Sequence, residues 1–583
     1  MSTGTYEAQT GNASAAGKRK LERFGSELLQ PKIFLRLSAA LLFLLYIRTI
    51  NFDFVYDDLG LVLFEWKGWG ALGKLFLHDI FATAEGPGSS YYRPLASAYA
   101  AVMNHWTGVV PGWFHLAAIA IHLIVFFLAY GVGRHLFKSE KMALVTALLF
   151  ALHPTKVEAV AWIGASGCDG LGAIFSFGSL LCYFKWRDGQ GSFWLPGSVV
   201  LYSACLLTKE TLAVLPGIIA VHFWLSENRQ ERVRKAALLM IPFCMVLSGY
   251  FVLRHIALTP HVVQAGVAKP YLKPSLTLTN LWSAPLAFWW YVKHMVWPTG
   301  LAVMYDSIVV SAPAFRNFVL PGLAATLLLV VGVWQWLRHA SIQVTTMAAF
   351  FVLTLAPYIV LAPMAQQHDR YLYLATFPFA ALLAWLLLNL KRIPSQARFA
   401  VGALLILLWA ASAWHESGFW QTDSSMWQRA AAVAPNLVRP PVMVADHYLQ
   451  DGNADSASRV VENALRRNPQ SSMLLHAKGA ILKYQGDLAG AQRVFEEAFA
   501  ADSLGNLKPI CAFKAGDVAM QQQDYAGAVK WFRTATDLAP RTVGYHGALA
   551  RALRAEGLNA EAEKQEKAER DVETYIRDTA NSL

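Results

Sequence analysis

Long apolar windows alternate with short polar connectors over the first 420 residues, a pattern that predicts a bundle of membrane-crossing helices. A span needs about twenty predominantly apolar residues. Such windows lie at 32–50, 113–136, 162–184, 236–254, 319–337, 344–362, 371–390 and 399–415, with shorter or interrupted ones at 142–154, 194–208, 211–226 and 281–297. The basic connectors fall on one side: Lys138 and Lys141, Lys185 and Arg187, Arg229 to Lys235, Arg338, and Lys391 to Arg398. The positive-inside rule assigns that side to the cytoplasm. Its parity holds if the tryptophan-rich 281–297 is interfacial, re-entrant or paired with another crossing, which leaves about eleven spans. Residues 1–30 then form a disordered cytoplasmic N-terminus ending in the basic cluster Lys18, Arg19, Lys20 and Arg23. This segment does not read as a cleavable signal. Residues 31–420 form the transmembrane domain, with a first outer loop at 51–112.

From residue 421 the pattern switches to polar, alanine-rich helices with a repeat. Pro435 and Pro469 stand 34 residues apart, as do Gly452 and Gly486. GDLAGAQRVFEEAF (486–499) is echoed by QDYAGAVKWFRTAT (523–536), so that Ala491/Phe495 recurs as Ala528/Phe532. Pro540 closes a third unit, and a fourth ends in the charged helix AEAEKQEKAERD. Small residues let paired helices approach, an aromatic fills the groove between them, and proline stops the second helix. Residues 421–583 therefore read as a tetratricopeptide-repeat α-solenoid. The fold class is all-α, a polytopic membrane helix bundle followed by that solenoid.

Composition agrees with the pattern: 55% of residues are apolar, 13% aromatic and only 15% charged, and the mean hydropathy is +0.35. A soluble protein is excluded. The net charge of +11 lies largely at the ends of apolar runs, which makes it a topology signal and not a nucleic-acid surface. The five cysteines show neither CxxC spacing nor even pairing, so no disulfide framework or zinc site is implied. No HExxH, GxSxG, Walker A or GxGxxG is present.

Charged residues on the outer side carry the candidate chemistry. Asp57 and Asp58 sit in NFDFVYDDLGLV (51–62), flanked by residues that favour burial, with Asp53 nearby at the edge of the first span. Carboxylates in a dry cleft have raised pKa values unless a cation compensates, which tunes a base or holds a metal. Adjacent side chains diverge, so one acid can face a reacting atom while the other orients a helper, a cation or a backbone group. Glu158 shares a wide helical face with Val157, Ala161 and Ala165 and can point into the bundle, and Asp169 follows in GASGCDG. Lys209 and Glu210 split two apolar arms, where the plain alternative is a self-neutralising pair at a turn. Asp369 and Arg370 can pair locally, but Arg370, like Arg93 in YYRPL, is of the type that clamps an anion bidentately. His105, His115, His122 and His294 read as bundle or interfacial polar residues, not as metal ligands.

FVYDD (54–58), YYRPL (91–95), HPTKVEAVAWIGASGCDGLGAIFSFGSLLCY (153–183), LLTKETLAVLP (206–216) and DRYLYLATFPFA (369–380), followed by the repeats, resemble the transmembrane and tetratricopeptide-repeat O-mannosyltransferase family, of the type C glycosyltransferase fold. The resemblance runs from about residue 30 to 560, and the order of the motifs is more specific than any one of them. Two departures stand out. Ser166, Gly167 and Cys168 precede Asp169 where the family has a GRAD-like segment with an arginine, and Asp369 opens a motif that usually begins with glutamate.

The resemblance implies transfer of a mannose-like sugar, with inversion, from a polyprenyl-phosphate carrier to serine or threonine hydroxyls of extracytoplasmic proteins. It implies Asp57 or Asp58 as the base, with Asp58 slightly preferred. Arg370, Lys209 and Arg93, with Glu158, Asp169 and Glu210 beside them, would bind the donor phosphate and substrate. A divalent cation near the acids is left open, and the repeats would recruit the acceptor protein. The alternatives are a non-catalytic membrane scaffold that binds proteins through its repeats, or a transferase acting on glycans or lipids. The single N-x-S/T sequon, Asn12-Ala13-Ser14, lies on the predicted cytoplasmic side. That leans towards a bacterial inner membrane with periplasmic repeats, or the endoplasmic reticulum if the source is eukaryotic.

Overall fold

The computed structural model describes residues 30–62, 91–264, 278–306, 340–361 and 367–582, with isolated positions between them. The basic N-terminus and most of the predicted 319–337 span lie outside the described residues. Every regular element among the described residues is helical. The chain divides into two compact units, one of residues 1–301 with 308–421 and one of residues 302–307 with 422–583.

Among the described residues of the first unit, six helices are long and apolar enough to cross a membrane: Pro31–Asn51, Pro111–Phe137, Ile163–Arg187, Arg232–Leu258, Ile342–Ile359 and Ser395–Trp420. A seventh is added if Glu140–Leu152 and Pro154–Ala161, bent by 59° at their junction, form one span. The bend has a local cause, since Pro154 lacks an N–H and displaces the preceding residue from helical geometry. Trp194–Thr208, Glu210–Ser226 and Thr376–Asn389 are shorter apolar helices. The last begins later than its apolar window because Asp369–Leu372 is wound as a tight turn. The tryptophan-rich stretch is a helix, Leu278–Val296, whose Tyr291 and Met295 pack with Leu355 and Leu372.

Polar contacts tie the helix ends. Arg48, at the end of the first helix, donates to Ser417 Oγ at 2.8 Å and lies 4.1 Å over the Trp414 ring at the end of the last. The two ends of the bundle are set apart by helix length. Leu171–Arg187 has 17 residues, about 25 Å at 1.5 Å per residue. Asp169 lies just before its start. Beyond its end, Asp188 accepts from His135 at 2.5 Å and Lys138 at 2.9 Å, beside a cavity of about 210 Å³.

In the second unit antiparallel helix pairs recur: Arg439–Gln450 with Ala454–Arg467, Ser472–Tyr484 with Leu488–Ala501, Lys508–Gln521 with Tyr525–Leu538, and Tyr545–Ala555 with Asn559–Ser582. The second helix of each of the first three pairs is capped by a side chain, since Asn453, Asp487 and Asp524 accept from Ser456, Gly490 and Gly527 N–H. Phe495 and Phe532 are buried, and a Cβ at Gly479 or Gly516 would stand 2.8 Å from the respective ring. That close approach requires glycine. Burying each ring is worth about 2–3 kcal/mol. The turn between paired helices uses Gly452, Gly486 and Gly557 at positive φ, but Gln523 (φ 63°) in the third unit.

Candidate active site

The segment 153–170 is the hub. It enters through the Pro154 bend, runs through the short helix Val157–Ala161, and leaves through a wide, π-type turn at Ser166–Gly170 before the long helix Leu171–Arg187. Every residue of Val157–Ala161 is buried, so Glu158 has no solvent to face. Such widened turns insert one residue into the helical ladder and are frequent at functional sites.

Two charged systems meet this hub. On one side lies the acidic pair. Tyr56 adopts a left-handed backbone (φ 60°), a conformation that costs a non-glycine residue about 1–2 kcal/mol. Its ring packs edge-on against Trp162 at 5.1 Å. The strained turn delivers Asp58 into the protein, where it is fully buried and accepts from Val55 N at 3.1 Å and Gly164 N at 2.8 Å. Burial pushes the Asp58 carboxyl up to about 8, against the amides of Val55, Gly164 and Ile163, which favour its charge. Asp57 is less buried and also faces Gly164, with its Oδ1 3.4 Å from where a Cβ on that glycine would sit. Asp58 thus holds backbone groups, one of the two uses open to an adjacent pair.

On the other side lie the cations. Glu158 accepts from the Arg370 guanidinium and from the Arg370 backbone N–H at 2.8 Å, and it also meets His368 Nδ1 at 3.1 Å. Burial and Arg370 push the His368 imidazole down, against Glu158. Asp169 pairs with Lys209 through one oxygen, and its other oxygen is 3.8 Å from Arg370 Nε. Burial works against the Lys209 ammonium, but Asp169 outweighs it and holds the amine above its ordinary value. Arg93 grips Glu210 with both arms of its guanidinium, at 2.9 and 2.7 Å, while another nitrogen lies 3.7 Å from Cys168 Sγ. Trp162 links the two systems, with the Arg370 guanidinium 4.4 Å from its ring centre and the Tyr56 ring on it.

The self-neutralising reading of Lys209 and Glu210 is therefore corrected. A kink between Thr208 and Glu210 leaves Lys209 extended (φ −158°) and sends the two side chains to different partners, Asp169 and Arg93. Arg370 reaches across the chain to Glu158 instead of serving only its neighbour Asp369. The sequence reading passed over His368, Trp162, Gly164 and the stacked pair Tyr358–Tyr371, whose ring centres are 4.1 Å apart. His368 could have been noticed for standing two residues before Arg370. Gly164 carried no signal, because its role is to let Leu61 and Asp57 come close. His122 bonds Tyr373 and the Ala151 carbonyl, as a polar residue of the bundle.

Among the described residues no three His, Cys, Asp or Glu side chains are grouped to hold a metal ion. The acids nearest the hub do not fit that use, since Glu158 and Asp169 are engaged by cations and Asp58 by backbone amides.

No family model matches the chain. It is 24% identical over 496 residues to the protein O-mannosyl-transferase TMTC1 of Homo sapiens, covering 76% of this chain and 56% of that one. It is also 24% identical over 441 residues to the protein O-mannosyl-transferase F38B6.6 of Caenorhabditis elegans, covering 73% and 61%. The protein O-mannosyl-transferase Tmtc1 of Drosophila melanogaster is 33% identical over 182 residues, 30% of this chain and 20% of that one. The chain thus spans little more than half the length of its human and nematode relatives. The crystal structure of yeast Tom70 aligns with a TM-score of 0.26 at 11% identity, over 79% of this chain and 96% of that one. The resemblance carried by the motifs is borne out by the curated relatives, and this membrane protein is similar to protein O-mannosyl-transferases.

Proposed function

We propose that the chain is a membrane glycosyltransferase that moves a mannose-like sugar from a polyprenyl-phosphate carrier to hydroxyl groups of proteins. The single observation that carries this reading is the hub, where the acidic turn, through Tyr56, and the cations, through Arg370, both pack against Trp162. The names of the relatives support the same chemistry.

In this reading Asp57 is the base and Asp58 a positioning residue. Asp58 is fully buried with both oxygens on backbone amides and positions the turn, while the less buried Asp57 is the carboxylate within reach of an entering acceptor. An acceptor hydroxyl gives its proton to Asp57 as its oxygen attacks the anomeric carbon from the face opposite the phosphate. The bond from that carbon to the phosphate oxygen breaks, and the electron pair leaves with polyprenyl phosphate. Arg370 and Lys209 stabilise that developing charge, with Arg93 behind them, in a dry setting where each interaction counts for more than in water. No step runs through a divalent cation. The repeats are assigned to holding the acceptor protein, and the site faces the extracytoplasmic side, of a bacterial inner membrane if the source is bacterial.

Asp57→Asn is expected to lower glycosyl transfer by roughly 10²- to 10⁴-fold, the usual worth of a positioned base, with thermal unfolding in detergent unchanged. Transfer at the parental rate would remove the catalytic reading and leave a scaffold. Deleting residues 421–583 is expected to abolish transfer to proteins; full protein glycosylation without them would end the recruiting role.

A further inference from the structure

We infer that Asp169 is a built-in stand-in for the donor phosphate: it occupies the cation site between turnovers, yields it when the lipid binds, and returns to expel the product. This rests on the reading of Lys209 and Arg370 as phosphate ligands. The first ground is geometry. One Asp169 oxygen pairs with Lys209 and the other faces Arg370 Nε at 3.8 Å, so a single carboxylate lies between two cations as two phosphate oxygens would. The second is space. The cavity lined by Asp169, Lys209, Arg370, Tyr358 and Tyr371 measures about 20 Å³, room for about one water. A phosphate does not fit in that space, and Asp169 holds the position between the two cations that it would take.

The neighbours are arranged so that this one acid can leave. Arg370 stays anchored without Asp169, because Glu158 binds both its guanidinium and its backbone N–H. The Lys209 ammonium is held by ring faces as well, 5.4 Å from the centre of Tyr358 and 5.1 Å from that of Tyr371. Asp169 itself rides on the widened turn Ser166–Gly170, between Cys168 and Gly170. Relaxing that turn to a regular helix swings its side chain by about 100°.

Charge explains the return. The donor is a phosphodiester of charge −1 and exchanges evenly with a carboxylate. The product, a phosphomonoester, carries about −1.5 to −2 at neutral pH and would stay bound to two buried cations. A tethered carboxylate competes with it at high effective concentration.

The test is binding of farnesyl phosphate to the full chain in detergent, with farnesol and inorganic phosphate as comparison probes, together with steady-state transfer. Asp169→Asn is expected to bind farnesyl phosphate at least tenfold tighter than the parent, to leave farnesol unchanged, and to lower kcat and KM together. If inorganic phosphate gains as much as farnesyl phosphate, the site recognises the phosphate alone, which still supports the exchange. Equal farnesyl phosphate affinity in parent and variant would overturn the inference while leaving the donor reading standing. If neither binds it and Arg370→Met makes no difference, both fall. Should Asp169→Asn fold poorly alone, purification with farnesyl phosphate is expected to restore it, since the lipid supplies the missing charge; failure to restore counts against the inference.

Discussion

The two ends of the membrane unit use the same residue types to opposite effect. At the far end Lys138, His135 and Asp188, and Arg187, Glu227 and Lys235, form ion pairs of ordinary geometry, but the Lys138 side chain is 63% exposed and Lys235 48%. At the hub end Glu158 is 2% exposed and Lys209 4%. An exposed pair is worth about 0–1 kcal/mol because water and salt replace it readily. A buried pair contributes little net stability over an apolar substitute, yet removing one member strands the other. Charge at the far end orients and solubilises. At the hub it is a constraint that the fold has to satisfy from within, partner by partner.

The comparison is broken most directly at Glu158. Glu158→Gln strands Arg370 in a buried setting and is expected to destabilise the protein by about 3–5 kcal/mol, read as a large drop in Tm in detergent. A loss under 1 kcal/mol would mean the hub behaves like the far end. Next comes the Arg93–Glu210 fork, which a double-mutant cycle with Arg93→Met and Glu210→Gln should score at about 1–3 kcal/mol of coupling. Coupling near zero would make it a surface-type pair.

A separate effect follows from pH. Asp58 has a folded value near 8 against an ordinary 3.8, so the folded state holds its proton where the unfolded chain has lost it. Its contribution therefore destabilises progressively as pH rises from about 4 to about 8 and is flat above that. Asp58→Asn, which cannot ionise, should flatten that decline in unfolding measured between pH 5 and 8. An unchanged slope would mean that Asp58 is not the titrating group. Lys138→Ala at the far end should cost at most about 1 kcal/mol, and less in high salt. A salt-independent loss there would erase the distinction between the ends.

Much of this was legible in the chain. Apolar windows located the long helices, and the 34-residue period located the helix pairs, because both signals are local and repeat. The acids and cations were also legible as residue types out of place in apolar surroundings. Their pairing was not. Which carboxylate meets Arg370 depends on contacts 212 residues apart in sequence, and the separation of Lys209 from Glu210 depends on one kinked residue. Gly164 and Tyr56 carried no charge to attract attention. Their functions are absence of a side chain and a backbone angle, which only the packed structure reveals.

The hydrogen bond that the Gly164 amide donates to Asp58 joins residues 106 apart, and this bears on the order of assembly. When the first span has entered the membrane, the acidic turn behind it has neither the amide nor the Trp162 ring that holds Tyr56 in its unfavourable conformation. Neither contact is available until the stretch from Trp162 to Gly164 is in place. The contacts that close the acidic turn thus come from residues made 106 positions later, so the turn and the hub are completed together.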